Sequence, residues 1–75
     1  MIHRDAFLNK LHALHYRYKS QQRKTQLYRK VGGTHCIFVP LCDLLEDEYV
    51  GQCLMQAGLT RAEAKAFVSA HQTSN

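Results

Sequence analysis

His35 and the basic, aromatic run that precedes it are the parts of this chain best equipped for chemistry. His35 follows Gly33-Thr34 and lies close to Lys30. A neutral imidazole beside a phosphodiester can act as general base on a ribose 2′-hydroxyl, while a lysine or arginine holds the developing charge. Upstream stand Tyr16-Arg17-Tyr18-Lys19, Arg23-Lys24 and Tyr28-Arg29-Lys30. Lysine and arginine neutralise phosphates, and aromatic faces stack on unpaired bases. The candidate nucleic-acid contacts are therefore Arg17, Lys19, Arg23, Lys24, Tyr28, Arg29 and Lys30, with His35 as the candidate catalytic group. The plainer alternative makes the cations a solvated surface and His35 a strand-surface residue.

Three other constellations carry less. His12 and His15 are one helical turn apart, but no acid follows Asp5 in that segment to complete a metal site, so surface histidines are the simpler reading. Cys36, Cys42 and Cys53 are odd in number, contain no C-x-x-C pair and match no common zinc spacing; free, mostly buried thiols are expected. Ala57-Gly58-Leu59-Thr60 joins two helices as in a helix-turn-helix. The second helix, however, sets Arg61 and Lys65 against Glu63 and follows an acidic helix, so a packing hairpin fits better than a reader of the major groove. No metal and no cofactor is called for.

The charge is uneven. Up to Cys36, eight lysines and arginines face Asp5 alone, a balance of +7; from Ile37 onward the balance is −3. This polarity suits an anionic partner for the first half, or attraction between the halves of one molecule or of two copies. Seventy-five residues with 45% apolar and 21% charged composition allow one small domain, residues 1–75. The longest apolar run, Cys36 to Cys42, is too short to span a bilayer. Met1-Ile2-His3-Arg4-Asp5 has no secretory pattern, so a cytoplasmic protein without membrane contact is expected.

The elements that must position these groups follow from periodicity. Phe7, Leu8, Leu11, Leu14 and Tyr18 recur at steps of three and four, predicting a helix from Asp5, as N-cap, to about Lys19. Thr25–Val31 and Thr34–Val39 flank Gly32-Gly33, predicting a hairpin with a two-residue turn, closed by Pro40. Its register pairs Val31 with Thr34, Arg29 with Cys36, Tyr28 with Ile37 and Leu27 with Phe38. Leu27, Val31, Cys36 and Phe38 then share one face; Tyr28, Lys30, His35 and Ile37 share the other. A short third strand fits at Arg23-Lys24. Asp43 and Glu46 predict a helix start, Leu45, Tyr49, Val50, Cys53, Leu54 and Ala57 its apolar stripe, and Gly58 its end. Thr60-Arg61-Ala62-Glu63 opens a last helix to about His71, with Ala62, Ala66, Phe67 and Ala70 on its buried side.

Gly33-Thr34-His35-Cys36-Ile37-Phe38 resembles the glycine-serine-histidine strand of HicA-type ribonuclease toxins. Leu54-Met55-Gln56-Ala57-Gly58-Leu59-Thr60 is similar to the end of that family's second helix, and Phe38-Val39-Pro40 to its third strand. The resemblance covers about half of the chain. It implies an α-β-β-β-α fold like that of double-stranded-RNA-binding domains, with His35 as acid or base in RNA cleavage. The two similarities compete: if Val39-Pro40 ends the third strand, the family's histidine position falls near Arg23-Lys24 instead.

The expected fold is α+β: an N-terminal helix, a β-hairpin with room for a third short strand, and two C-terminal helices packed on one sheet face. A homodimer would complete so small a core. Three functions remain open: a binder of RNA or DNA, RNA favoured, or of a nucleic-acid-binding protein complex; an RNA-cleaving toxin; or a protein–protein inhibitor or accessory subunit without nucleic acid contact.

Overall fold

The computed structural model describes residues 1–73 and has the expected α+β architecture. In chain order it contains β1 (Ile2–His3), α1 (Arg4–Ala13), β2 (Tyr16–Gln21), β3 (Thr25–Lys30), β4 (Cys36–Pro40), β5 (Leu44–Leu45), α2 (Asp47–Gln56) and α3 (Arg61–His71). Strands β2, β3 and β4 form an antiparallel sheet in that order, and β1 pairs with β5 in a second, two-stranded one. Among the described residues, no helix is long and apolar enough to cross a membrane.

The first helix stops earlier than its apolar spacing predicts. The amides of Leu14 and His15 close the last turn on the carbonyls of Lys10 and His12 at 3.0 Å. His15 then takes a left-handed φ of 70° and turns the chain back into β2. Histidine is among the few non-glycine residues found there with any frequency. Tyr18 thus belongs to a strand, not to the helix stripe, and is 54% exposed. The third strand is Tyr16–Gln21, while Arg23-Lys24 falls in the turn that follows it. The helix N-cap is His3, with Asp5 inside the first turn, where its negative charge complements the helix dipole.

The hairpin register is as expected: Arg29 faces Cys36, Tyr28 faces Ile37 and Leu27 faces Phe38. Its turn is wider than expected, because Val31 leaves the β3–β4 ladder and donates to the carbonyl of His15 at 2.8 Å. Gly33 donates to Lys30 at 3.1 Å, with Gly32 at φ 78° as the third residue of that turn. Only one of the two glycines therefore takes positive φ, as a type II turn requires. Lys30 N–H bonds the His35 carbonyl at 3.0 Å, so these two residues face each other as anticipated.

The core gathers Ile2, Phe7, Leu11, Tyr16, Ile37, Val39, Leu45, Val50, Cys53, Leu54 and Ala64 on one side of the three-stranded sheet. Each large side chain so buried contributes about 1.5–3 kcal/mol. Strand β5 takes the residues expected to open the second helix, whose N-cap is Glu46, not Asp43. Gly58, at φ 109°, ends that helix as expected: its N–H bonds Met55 and that of Leu59 bonds Leu54, both at 3.0 Å. The Thr60–Glu63 capping box also forms. In α3 the buried side is Ala64 with Phe67 and Val68 packed beside it, whereas Ala62, Ala66 and Ala70 are exposed. The three thiols are free; Cys53 is buried, Cys36 half-buried and Cys42, against expectation, exposed.

Candidate nucleic-acid interface

Alternation along the strands divides the candidate residues between two faces. Tyr16, Tyr28, Lys30, Ile37 and Val39 point toward the helices; Arg17, Leu27, Arg29, Cys36 and Phe38 point away. Arg17 and Arg29 are direct cross-strand partners. Like charges so placed are destabilising unless a counter-charge joins them. No carboxylate does: residues 16–40 contain Arg17, Lys19, Arg23, Lys24, Arg29 and Lys30 but neither aspartate nor glutamate. Among the described residues, none of these six forms a salt bridge.

Both arginines are anchored by backbone oxygens. Arg17 Nη1 donates to the carbonyls of His12 at 3.0 Å and Tyr16 at 2.9 Å, and Arg29 Nε donates to Gly33 at 3.1 Å. With one nitrogen of each held, the remaining N–H groups are pre-positioned for oxyanions. Arg17, Lys19, Arg29 and Lys30 line an open concavity of about 580 Å³ with Tyr18 and the Val31–Thr34 loop. The register of β2 slips between Tyr18 and Ser20, which makes Lys19 the extra residue of a bulge on this edge strand. Arg23 and Lys24 lie at the other end of the sheet, outside the concavity.

Tyr28 does not join the arginines. It is half-buried on the helix side, edge-on to Tyr18 at 6.0 Å, and its hydroxyl donates to Gln26 Oε1 at 3.2 Å. The same Gln26 oxygen accepts from Arg4, whose Nε also donates to the Pro40 carbonyl at 2.8 Å. Arg4 therefore ties α1 to the sheet and takes no part in the open cationic surface.

His35 lies just before β4, with its Nδ1 2.6 Å from the hydroxyl of Tyr16. The Tyr16 ring is buried, edge-on to the imidazole, and Lys30 Nζ is 5.9 Å from its centroid. Burial, and then the nearby Cys36 thiol, push the Tyr16 phenol above its ordinary value of 10.0. The hydroxyl stays neutral and can serve either tautomer. If Nδ1 carries the proton it donates to Tyr16 and leaves Nε2 basic; in the other tautomer Nε2 holds the proton. This arrangement is competent for acid or base chemistry.

His12 and His15 are exposed at the end of α1. Among the described residues no cluster of three or more histidine, cysteine or acidic side chains is placed to hold a metal ion. In comparisons with known proteins, no family model matches the chain, and neither a curated protein nor a solved structure matches it.

Sequence reasoning missed Phe38 as a surface residue. It is 47% exposed on the outward sheet face. Its alternation with Ile37 and Val39 marked it as facing away from them, but both faces of the hairpin carry apolar residues, so the pattern alone left the covered face undecided.

Proposed function

We propose that this protein binds nucleic acid, RNA in preference, through the cationic side chains of β2, β3 and the Gly32-Gly33 loop. The observation that carries the reading is the directly opposed, carboxylate-free pair Arg17–Arg29, beside Lys19 and Lys30 around one concavity. A polyanion supplies the counter-charge that the chain itself withholds. RNA is favoured over DNA because, among the described residues, neither helix of the α2–α3 hairpin presents a cationic reading face to a major groove: α2 begins with Asp47-Glu48, and α3 sets Glu63 between Arg61 and Lys65. Replacing Arg17, Lys19, Arg29 and Lys30 by glutamine should lower the log–log salt slope of binding by roughly 0.7–0.9 for each phosphate no longer neutralised. The double variant Arg23→Gln/Lys24→Gln should change it less. An unchanged slope in the quadruple variant, or wild-type protein that binds no RNA, refutes the reading.

A second reading, RNA cleavage, draws on the hydrogen bond between Tyr16 and His35 beside Lys30. The run of α1 into the three sheet strands β2, β3 and β4, which the resemblance to HicA-type toxins implies, supports it, although β5 intervenes before α2. The location of His35 ahead of the sheet's third strand, with Arg23-Lys24 in the preceding turn, counts against it. His35→Ala should slow cleavage by about 10²–10⁴-fold while leaving affinity for RNA nearly intact. Absence of wild-type cleavage on single-stranded, double-stranded and messenger RNA ends this reading and leaves the binding function standing.

A further inference from the structure

The outward face of the three-stranded sheet is arranged in rows that run across the strands. Arg17, Arg29 and Cys36 make one row; Ser20, Leu27 and Phe38 make the next. The two rows are separated by two residues along β3 and β4, roughly 6.7 Å. That is a spacing at which one nucleotide can lay its base on one row and its phosphate on the other. Phe38 is 47% exposed there, and Leu27, its cross-strand partner, is half-buried beneath the same surface. Among the described residues no helix covers this side, because the core lies on the other one.

We infer that Phe38, flanked by Leu27, is a stacking seat for an unpaired base of single-stranded RNA whose phosphate is held by Arg17 and Arg29. The inference rests on the nucleic-acid reading above and adds to it a strand type and a contact for the base. Three observations favour this occupant. The apolar seat is one aromatic and one aliphatic side chain, with Val31 and Leu41 at opposite ends of the sheet, which is too little for a stable protein interface of about 800 Å² per partner. Among the described residues the cations beside it form no salt bridge, which suits phosphate and opposes a basic protein surface. A duplex keeps its bases stacked on each other and offers no open base face to a flat sheet, whereas an unpaired base does.

The backbone under the seat is fixed. The Tyr49 hydroxyl donates to the carbonyl of Phe38 on the outer edge of β4, so the aromatic ring is carried by a strand braced from α2. Burial, followed by the influence of Cys53, raises the Tyr49 phenol above its ordinary value, so this donor keeps its proton at neutral pH.

The test uses the whole chain with short oligouridylate, oligoadenylate and an RNA duplex of equal length as probes. Phe38→Leu keeps an apolar side chain but removes the π face. It should weaken single-strand affinity roughly 5- to 150-fold and leave the duplex affinity unchanged. Phe38→Trp should retain affinity and, in a chain without other tryptophan, its fluorescence should be quenched when oligouridylate or oligoadenylate binds. Thermal unfolding of the leucine variant at the wild-type temperature shows that the fold is kept; should it unfold early, the tryptophan signal decides alone. Single-strand binding by Phe38→Leu at wild-type strength, or Phe38→Trp fluorescence unmoved by a bound oligonucleotide, overturns the base seat. If Arg17→Gln/Arg29→Gln still loses affinity in that case, the phosphate surface survives. Wild-type protein that binds none of the probes removes both.

Discussion

Tyr16 and His35 are joined hydroxyl to imidazole at 2.6 Å, so the first residue of β2 is fastened to the loop that leads into β4. The contact crosses β3 at the end of the sheet where Lys30 sits, and it holds the His35 imidazole in place. Removing the hydroxyl alone isolates its contribution. Tyr16→Phe keeps the buried ring and should lower stability by about 1 kcal/mol in urea denaturation. It should also shift the His35 tautomer balance seen in imidazole nitrogen NMR; identical spectra would show that the hydroxyl does not position His35.

Arg17, Lys19, Arg29 and Lys30 of β2 and β3, which form no salt bridge among the described residues, predict opposite salt responses for the free protein and for its proposed complex with RNA. Raising ionic strength from about 0.02 to 0.5 M screens the Arg17–Arg29 repulsion and should stabilise the free chain by a few tenths of a kcal/mol. The same change should weaken RNA binding by orders of magnitude. Calorimetry of the free protein beside binding isotherms checks the pair of signs. A free protein destabilised by salt would mean that internal attraction between the basic and acidic halves dominates.

Two glycines, one inside α2 and one just past its end, should respond in opposite directions to alanine. Gly58 holds a φ of 109° with open space where a Cβ would go, so Gly58→Ala should cost about 1–2 kcal/mol through backbone strain alone. Gly51 lies inside α2, also with open space, and Gly51→Ala should stabilise by about 0.5–1 kcal/mol. Thermal unfolding of both variants measures the contrast.

Acid sensitivity has a local source in the last helix. The Glu63 carboxylate accepts from the Thr60 N–H at 2.8 Å while the Thr60 hydroxyl accepts from the Glu63 N–H at 3.1 Å. The bond from the Thr60 backbone, then that with its side chain, holds the Glu63 carboxyl below its ordinary 4.5, with Lys10 adding to the effect. A carboxyl depressed in the folded state contributes fully above its unfolded value and loses that contribution as pH falls through the folded one. Glu63→Gln should therefore flatten the acid limb of the stability curve between those two values. A titration of Glu63 at or above 4.5 in the folded protein would contradict this.

The β3–β4 register is legible from residue order because Leu27, Tyr28, Ile37 and Phe38 can alternate in only a few ways around two glycines. Strand β2 is concealed because Leu11, Leu14 and Tyr18 continue a helical spacing through a reversal made at His15, a residue with no glycine signature. Nothing apolar alternates in Arg17-Tyr18-Lys19-Ser20-Gln21, so an edge strand with one solvated face leaves little pattern to read. The candidate interface is half legible. Cation identity marks Arg17, Lys19, Arg29 and Lys30, but only the tertiary fold shows that Tyr28 packs inward while Phe38 faces outward. The phase of α3 is hard to read for a related reason: four alanines of equal hydropathy leave the choice of buried side to Phe67, Val68 and the surface of α2.

The bulge at Lys19 has a bearing on solubility. Strand β2 ends the sheet, and its outer backbone groups are a template on which a strand from another molecule can add. A kink in that template, together with the charges of Arg17 and Lys19, is the form of protection that β-sheet proteins commonly use against fibre growth. The cations proposed to meet a polyanion are thus also gatekeepers. Neutralising them by substitution would strip the edge of its guard, and the quadruple glutamine variant should be handled dilute and watched by light scattering, since its loss of charge invites the chains to join strand by strand.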